Sequence, residues 1–406
     1  MIRTLPLPTT ASTMSLKRRR AEVAGAVRAW LAAHPELLIG AGLYVLLFAG
    51  LALVGVLSVQ FDRPVTVRGT WLQLLLRPNE PNPELVKIWE RWDALWYMRI
   101  AQSGYHATDN TVAFFPLYPA LMHLVGRVLR ENYALAGLIV SGATLVPALA
   151  LLQAVGRRLV GDESAKRAVL YTLLFPTGFF FLAPYTESLF LLLAMGVFWS
   201  MQQRRWPLAG ALGLLVGLTR APGALLLLPM LWEWLEQRLA GERRPWPTFL
   251  WTLTPGLGLL LFTAYIRFGL GLPEAGLATQ AAWGYHVVMP WQALATSFAR
   301  ARIDVVEALN LSSLLLMCGL TLLGLKRLPL PYTLYNAANI GIMLTRVEDA
   351  WPLMSVSRYV LVLFPGFLML AQIGGRWRWL HQAICALGLL MMSVLFYQYV
   401  HFRFVA

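Results

Sequence analysis

Five short strings carry the side chains that could do chemistry: Asp93 in WDALW (92–96), Glu187 in APYTES (183–188), Arg220 in LTRAPG (218–223), Arg346 just ahead of Glu348 and Asp349, and Arg358 in SVSRY (355–359). One carboxylate accompanied by arginines suits group transfer away from a phosphate. Guanidinium groups grip phosphate oxygens with bidentate, charge-assisted hydrogen bonds and neutralise the departing charge, so no protonating acid is required and a single base suffices. Ordinary glycoside hydrolysis expels an alkoxide and asks for two carboxylates in set roles.

Each residue also has a plainer reading. Asp93 fits a solvated acid on an interfacial helix, Glu187 a carboxylate that favours a helix N-terminus, and Arg220 a helix-end cation that snorkels to water. Arg346 and Arg358 have Glu348 and Asp349 close by, enough for a structural clamp. The aromatic residues Trp92, Trp96, Tyr97, Tyr105, Phe114, Phe115 and Tyr118 read either as a membrane-interface belt or as a platform for a sugar. No metal site is evident: the six histidines are scattered, and neither HExxH nor CxxC occurs. A phosphate-binding glycine loop is missing too, so no cofactor is expected, while a divalent cation stays open.

The elements that must position these groups are membrane helices. Hydrophobic residues make up 58% of the 406 positions and charged residues 13%, which leaves too little polar surface to clothe soluble domains. Continuous apolar stretches near twenty residues, rather than alternating ones, point to an all-α polytopic bundle and away from a barrel. The formal charge of +14 would suggest nucleic acid in a soluble protein, but here the cations sit between apolar segments and at the N-terminus, where they read as topology signals; no nucleic-acid partner is expected.

Eleven spans are predicted at about 37–59, 133–155, 168–184, 186–202, 207–220, 222–238, 248–269, 305–325, 330–346, 358–374 and 380–400, with the N-terminus inside and the C-terminus outside. Residues 1–36 form a basic cytoplasmic segment and 37–406 a single membrane domain with a large outer loop at 60–132. Within that loop, Pro-Asn-Glu-Pro-Asn-Pro (78–83) is punctuation. Leu85, Ile88, Trp89, Trp92 and Trp96 recur at helical spacing, which predicts an amphipathic helix lying on the membrane surface. The piece at 114–129 is read as re-entrant or interfacial, because a span there would invert the charge of every later loop. The spans at 207–220 and 330–346 are weak, the first for its length, the second for Pro329, Pro331, Asn336 and Asn339. With this topology the acids and arginines of the five strings gather at the outer face, where a lipid-linked substrate would hold its phosphate at headgroup depth.

The strings WDALWYMRIAQSGY (92–105), AFFPLYPALM (113–122), FPTGFFFLAPYTESLF (175–190), GLTRAPGALLLLP (217–229) and SRYVLVLFPGF (357–367) resemble, in order, blocks of the PIG-V family of integral-membrane mannosyltransferases. The resemblance implies a GT-C type, inverting enzyme that takes a sugar from a polyprenyl or dolichyl phosphate carrier outside the cytoplasm and passes it to a lipid or glycan acceptor, among membrane lipids. It implies Asp93 as the catalytic base, Arg220 and Arg358, with Arg346, at the donor phosphate, and Tyr185 and Glu187 near the substrates, joined by the aromatic residues Trp92, Trp96 and Tyr105. A bacterial plasma membrane is the expected location. The rival from another class is a transporter or flippase of lipid-linked sugars, for which eleven spans are equally natural.

Overall fold

The computed structural model describes residues 34–62, 82–106, 109–241, 245–272 and 284–405. The basic segment at 1–33 and the outer loop from 63 to 81, with most of its proline-rich stretch, lie outside the described residues.

The chain is helical, with one two-stranded ribbon. The first span is α1, Pro35–Phe61, 27 residues without a charge after Glu36. After it come a single turn α2, Glu84–Lys87, then α3, Asp93–Ser103, and α4, Leu117–Val128. At 12 residues α4 is about 18 Å long, well short of a ~30 Å hydrocarbon core, as the interfacial reading of 114–129 requires. The central element is α5, Tyr133–Val160, which packs on α1, on α3 and α4, on α6 (Asp162–Leu173) and most extensively on α7 (Glu187–Gln202). Gly137 makes one of these approaches possible, since a Cβ there would lie 2.6 Å from Met122 and 2.7 Å from Pro184.

The second half runs through α8, Trp206–Gly217, and α9, Leu227–Leu239, into a continuous helical stretch at 246–269 whose middle is α10, Thr254–Ala264. An amphipathic helix α11, Pro290–Arg300, leads to α12, Val305–Gly324, and α13, Leu330–Thr345. The last helices are the single turn α14, Val356–Tyr359, then α15, Phe364–Gly374, and α16, Arg378–Val400. Strands β1, Tyr285–Val287, and β2, Arg346–Glu348, pair antiparallel with Tyr285 opposite Glu348 and Val287 opposite Arg346.

Among the described residues five helices are long and apolar enough to cross a membrane: α1, α5, the stretch 246–269, α12 and α16. The segments expected at 168–184, 222–238 and 358–374 are broken. Helix α6 stops at Leu173 because Pro176 disfavours helical backbone at Phe175, and a 3₁₀ turn, Gly178–Phe181, takes over. A second 3₁₀ turn, Ala221–Leu226, opens with Pro222 and precedes α9. The third break bends the chain by 84° between Val362 and Phe364, ahead of Pro365. The span at 330–346 is intact: Pro331 falls in the first turn, where no helical hydrogen bond is lost, and Asn336 reaches Thr321 of α12 at 3.1 Å.

The surface helix expected at 85–96 is not there. Trp89 is fully buried and Trp96 is 9% exposed, and the chain breaks between α2 and α3. Arg91 causes the break. Its side chain turns inward to donate to the carbonyls of Val400 (2.7 Å) and Lys87 (2.6 Å) and lies over Phe402, while Trp92 takes a left-handed φ of 53°. The helical spacing of the tryptophans runs across this turn and so misstates their environment. The exposed apolar face of an outer amphipathic helix belongs instead to α11, with Trp291 and Phe298.

Candidate active site

The three breaks and the start of α3 converge on one cavity of about 750 Å³. Asp93 enters as the first residue of α3. Its backbone N–H donates to the Tyr185 hydroxyl (3.2 Å), which in turn donates to the Arg91 carbonyl (3.1 Å), so one phenol pins the turn that presents the carboxylate. Tyr185 itself follows the first break. Ser141 of α5 donates to the Ala183 carbonyl at 2.7 Å, holding the loop against the central helix.

Arg358 donates to Asp93 Oδ2 at 2.6 Å, and its Nε lies 3.5 Å from Glu187 Oε1. Arg220 donates to the same Glu187 oxygen at 2.7 Å. Asp93, Arg358, Glu187 and Arg220 therefore form one alternating chain of charge. Its members differ in access: the Asp93 side chain is 30% exposed, Arg220 14%, Arg358 10% and Glu187 only 1%. Asp93 and the two arginines line the cavity, whereas Glu187 sits behind the arginines and outside the lining. A buried carboxylate shared by two guanidinium groups offsets part of their desolvation and fixes where they point. Tyr359 is a second scaffold, with the guanidinium of Arg220 4.7 Å and that of Arg358 5.1 Å from its ring centre.

Arg358 is hung from α12 by buried polar side chains. Asn310 accepts from the Ser357 N–H (2.9 Å) and Glu307 from the Leu353 N–H (3.1 Å). From the other side Thr177, in the first break, donates to the Ser357 carbonyl at 2.6 Å. Ser355 takes a left-handed φ of 66° to make this turn.

Arg346 completes the cationic set from strand β2. Its guanidinium lies 3.7 Å from the ring centre of Tyr285 on β1, and both residues line the cavity. Among the described residues it has no carboxylate partner. The clamp with Glu348 and Asp349 does not form: Glu348 caps the N–H groups of Ala350 and Trp351, and Asp349 faces His286. Burial, aided by the nearby carboxylates Asp93 and Glu187, pushes the Tyr97 hydroxyl well above the ordinary phenol range; burial and the Tyr359 hydroxyl do the same for Tyr285. Both are kept as neutral hydrogen-bonding groups.

The remaining aromatic residues separate. Trp92, Trp96 and Tyr185 line the cavity. Tyr105 does not: its hydroxyl donates to the Phe114 carbonyl (2.7 Å) and its ring packs on Phe262 and Tyr265. Residues that the sequence reading passed over are Tyr359, Tyr285, Asn339 and Phe404, all in the lining. Tyr359 stands next to Arg358 in the SRY string and was within reach; Phe404 carries no sequence signal.

The cavity is polar at one end only. Beyond Arg220 its walls are Val112, Phe115, Leu259, Phe262 and Ile266, and two further lining residues, Thr263 and Ile342, are also exposed on the outside of their helices. A phosphate among the arginines with an apolar chain leading outward past α10 and α13 matches this shape. No group of three or more potential metal ligands occurs among the described residues.

Residues 81–215 match the family model described as Mannosyltransferase (PIG-V), in line with the resemblance read from the sequence blocks. The match includes Asp93 and Glu187; Arg220, Arg346 and Arg358 lie beyond it. Over 154 residues the chain is 29% identical to GPI mannosyltransferase 2 of Yarrowia lipolytica (strain CLIB 122 / E 150), an alignment that takes in 38% of this chain and 42% of that protein. The chain thus aligns with less than half the length of this curated relative. Among solved structures, the crystal structure of the Archaeoglobus fulgidus oligosaccharyltransferase in complex with Zn and sulfate is similar over 88% of this chain and 53% of that one, with a TM-score of 0.41 and 11% identity.

Proposed function

We propose, from the membership of residues 81–215 in the PIG-V mannosyltransferase family, that this integral membrane protein is a GT-C type glycosyltransferase. It moves a sugar, mannose by family, from a polyprenyl or dolichyl phosphate donor to a hydroxyl of a lipid or glycan acceptor at the extracytoplasmic face of its membrane, a bacterial plasma membrane on the sequence reading. The observation that carries this reading is the charge chain of Asp93, Arg358, Glu187 and Arg220, which ends in a cavity apolar on one side.

In this mechanism the donor phosphate lies among Arg220, Arg358 and Arg346, and its isoprenoid chain leaves past Leu259, Phe262 and Ile266. The acceptor hydroxyl hydrogen-bonds to Asp93. As that oxygen attacks C1 of the sugar from the face opposite the phosphate, Asp93 takes its proton, the C1–O bond to phosphate breaks, and the arginines stabilise the charge left on the polyprenyl phosphate. Displacement on the opposite face inverts the anomeric configuration. The Asp93–Arg358 pair couples the two halves of the reaction, because the guanidinium that orients the base also reaches toward the leaving group.

The test is transfer of labelled mannose from synthetic polyprenyl-phosphate mannose by the purified protein in liposomes, with the product's anomer assigned by NMR. A new glycosidic product of inverted configuration is expected. Movement of the lipid-linked sugar across the bilayer with no glycosidic product would replace this reading by the transporter.

A further inference from the structure

The two ends of the cavity differ in a way that assigns them. Beyond Arg220 lies the apolar wall of α10, Val112 and Phe115. On the far side of Asp93 the wall is aromatic and comes from the segment after α16: Phe404 lies 5.7 Å from Trp92, edge to face, and 4.8 Å from Trp351, while Phe402 lies 6.2 Å from Trp92. Val405 joins Phe404 in the lining. The segment is anchored rather than loosely apposed. Arg91 lies over Phe402, His401 approaches the Asp62 carbonyl at 2.9 Å, and Tyr397 donates to the Asp62 carboxylate at 2.7 Å.

Resting on the glycosyltransferase reading above, we infer that Trp92 and Phe404 form the acceptor subsite, and that its occupant is the hexopyranose unit whose hydroxyl attacks. The carboxylate of Asp93 stands between this wall and the arginines, so a nucleophile that uses Asp93 without displacing the donor phosphate must approach from the Phe404 side. Aromatic faces carry negative charge density, and the polarised C–H groups of a pyranose present a matching face; a serine hydroxyl or a simple alcohol has none. The donor and acceptor ends are therefore separated by the base, as an in-line displacement requires. The bond chemistry is that of the proposed transfer and needs no further reactant.

The experiment uses the full chain in nanodiscs and two kinds of probe. Saturation-transfer NMR with octyl α-mannoside is expected to mark the pyranose protons, and octanol is expected to bind without competing for them. Phe404→Ala is expected to weaken mannoside binding roughly tenfold and Phe404→Trp to restore it, while the affinity for polyprenyl phosphate stays within about twofold in both. Equal mannoside binding in wild type and Phe404→Ala overturns the inference. So does parallel loss of mannoside and polyprenyl phosphate, which would make Phe404 a folding residue. A serine peptide that binds better than the mannoside, with the same dependence on Phe404, would assign the wall to a protein acceptor instead. Polyprenyl phosphate binding that ignores Arg220→Gln would overturn the glycosyltransferase reading independently of the acceptor result.

Discussion

The unbroken helices and the broken ones divide the molecule into two kinds of structure. Helices α1, α5, the stretch 246–269, α12 and α16 satisfy their own backbone along their whole length, and the few charged residues they hold do not line the cavity. The breaks at Phe175–Tyr185, at Arg220–Leu226 and at Ser355–Leu363 leave backbone groups outside regular helix. They are also where Tyr185, Arg220 and Arg358 enter the cavity, with Glu187 just behind. Irregular backbone at membrane depth persists only where protein or a polar cavity satisfies it. Here each break is stitched by neighbours: Thr177 to Ser357, Asn310 to Ser357, Ser141 to Ala183. The comparison teaches that the regular helices are the frame and the interruptions are the site.

Substitutions at the two kinds of position should separate stability from transfer. The largest effect is expected at Glu187. Glu187→Gln removes the anion shared by Arg220 and Arg358 and leaves two guanidinium groups underneutralised, at a cost of roughly 3–5 kcal/mol in stability, with transfer lost as well. A thermal-unfolding midpoint equal to that of wild type would break the claim that the charge chain holds the interruptions together.

Leu145→Ala, in the middle of α5, sharpens the contrast. The side chain is fully buried, so its truncation is expected to cost about 2–5 kcal/mol while transfer per folded molecule stays unchanged. A fall in specific activity at a temperature where the variant remains folded would mean that the frame and the site are not separable.

Arg358→Lys keeps the charge and loses the fork that reaches Asp93 and Glu187 together. Transfer is expected to drop roughly hundredfold with a small change in thermal midpoint, read from initial rates at saturating donor. Near-normal rates would remove Arg358 from the leaving-group site.

The smallest effect concerns the frame that carries the arginine loop. Asp304 caps α12, accepting from the N–H groups of Val306 (2.9 Å) and Glu307 (3.1 Å) and from the Trp351 indole (2.9 Å). Partial burial opposes the charged form, but these hydrogen bonds and Arg300 outweigh it and hold the carboxyl below the usual aspartate range. A depressed folded-state value means that the stabilisation is present above the unfolded value of about 3.9 and disappears as pH falls through the folded one. Asp304→Ala is expected to lower stability by about 1 kcal/mol at neutral pH, and the gap should close in acid. A gap that persists unchanged at pH below about 3 would contradict the cap.

Much of this was legible in the sequence because charge in an apolar chain is costly. Asp93, Glu187, Arg220, Arg346 and Arg358 stand out for that reason alone, and four of the five line one cavity. Apolar length located the helices, yet it also hid the interruptions. Pro176, Pro222 and Pro365 were visible, but each lies in a run hydrophobic enough to read as a span. Periodicity misplaced Trp89 and Trp96, since a pattern of spacing cannot register the turn that Arg91 makes at Trp92. The pairings themselves were beyond reach: Arg358 meets Asp93 across 265 positions, and Phe404 meets Trp92 only because α16 returns the chain to the start of α3.

The most direct measurement compares wild type with Asp93→Asn in one reconstituted preparation, following both polyprenyl phosphate binding and mannose transfer from polyprenyl-phosphate mannose. The account predicts that the variant binds the carrier lipid as wild type does and transfers at least about a thousandfold more slowly, because the substitution removes the base and leaves the cationic site in place. Transfer at the wild-type rate would contradict it, and so would loss of carrier binding together with transfer, since Asp93 would then hold the arginines rather than take the proton.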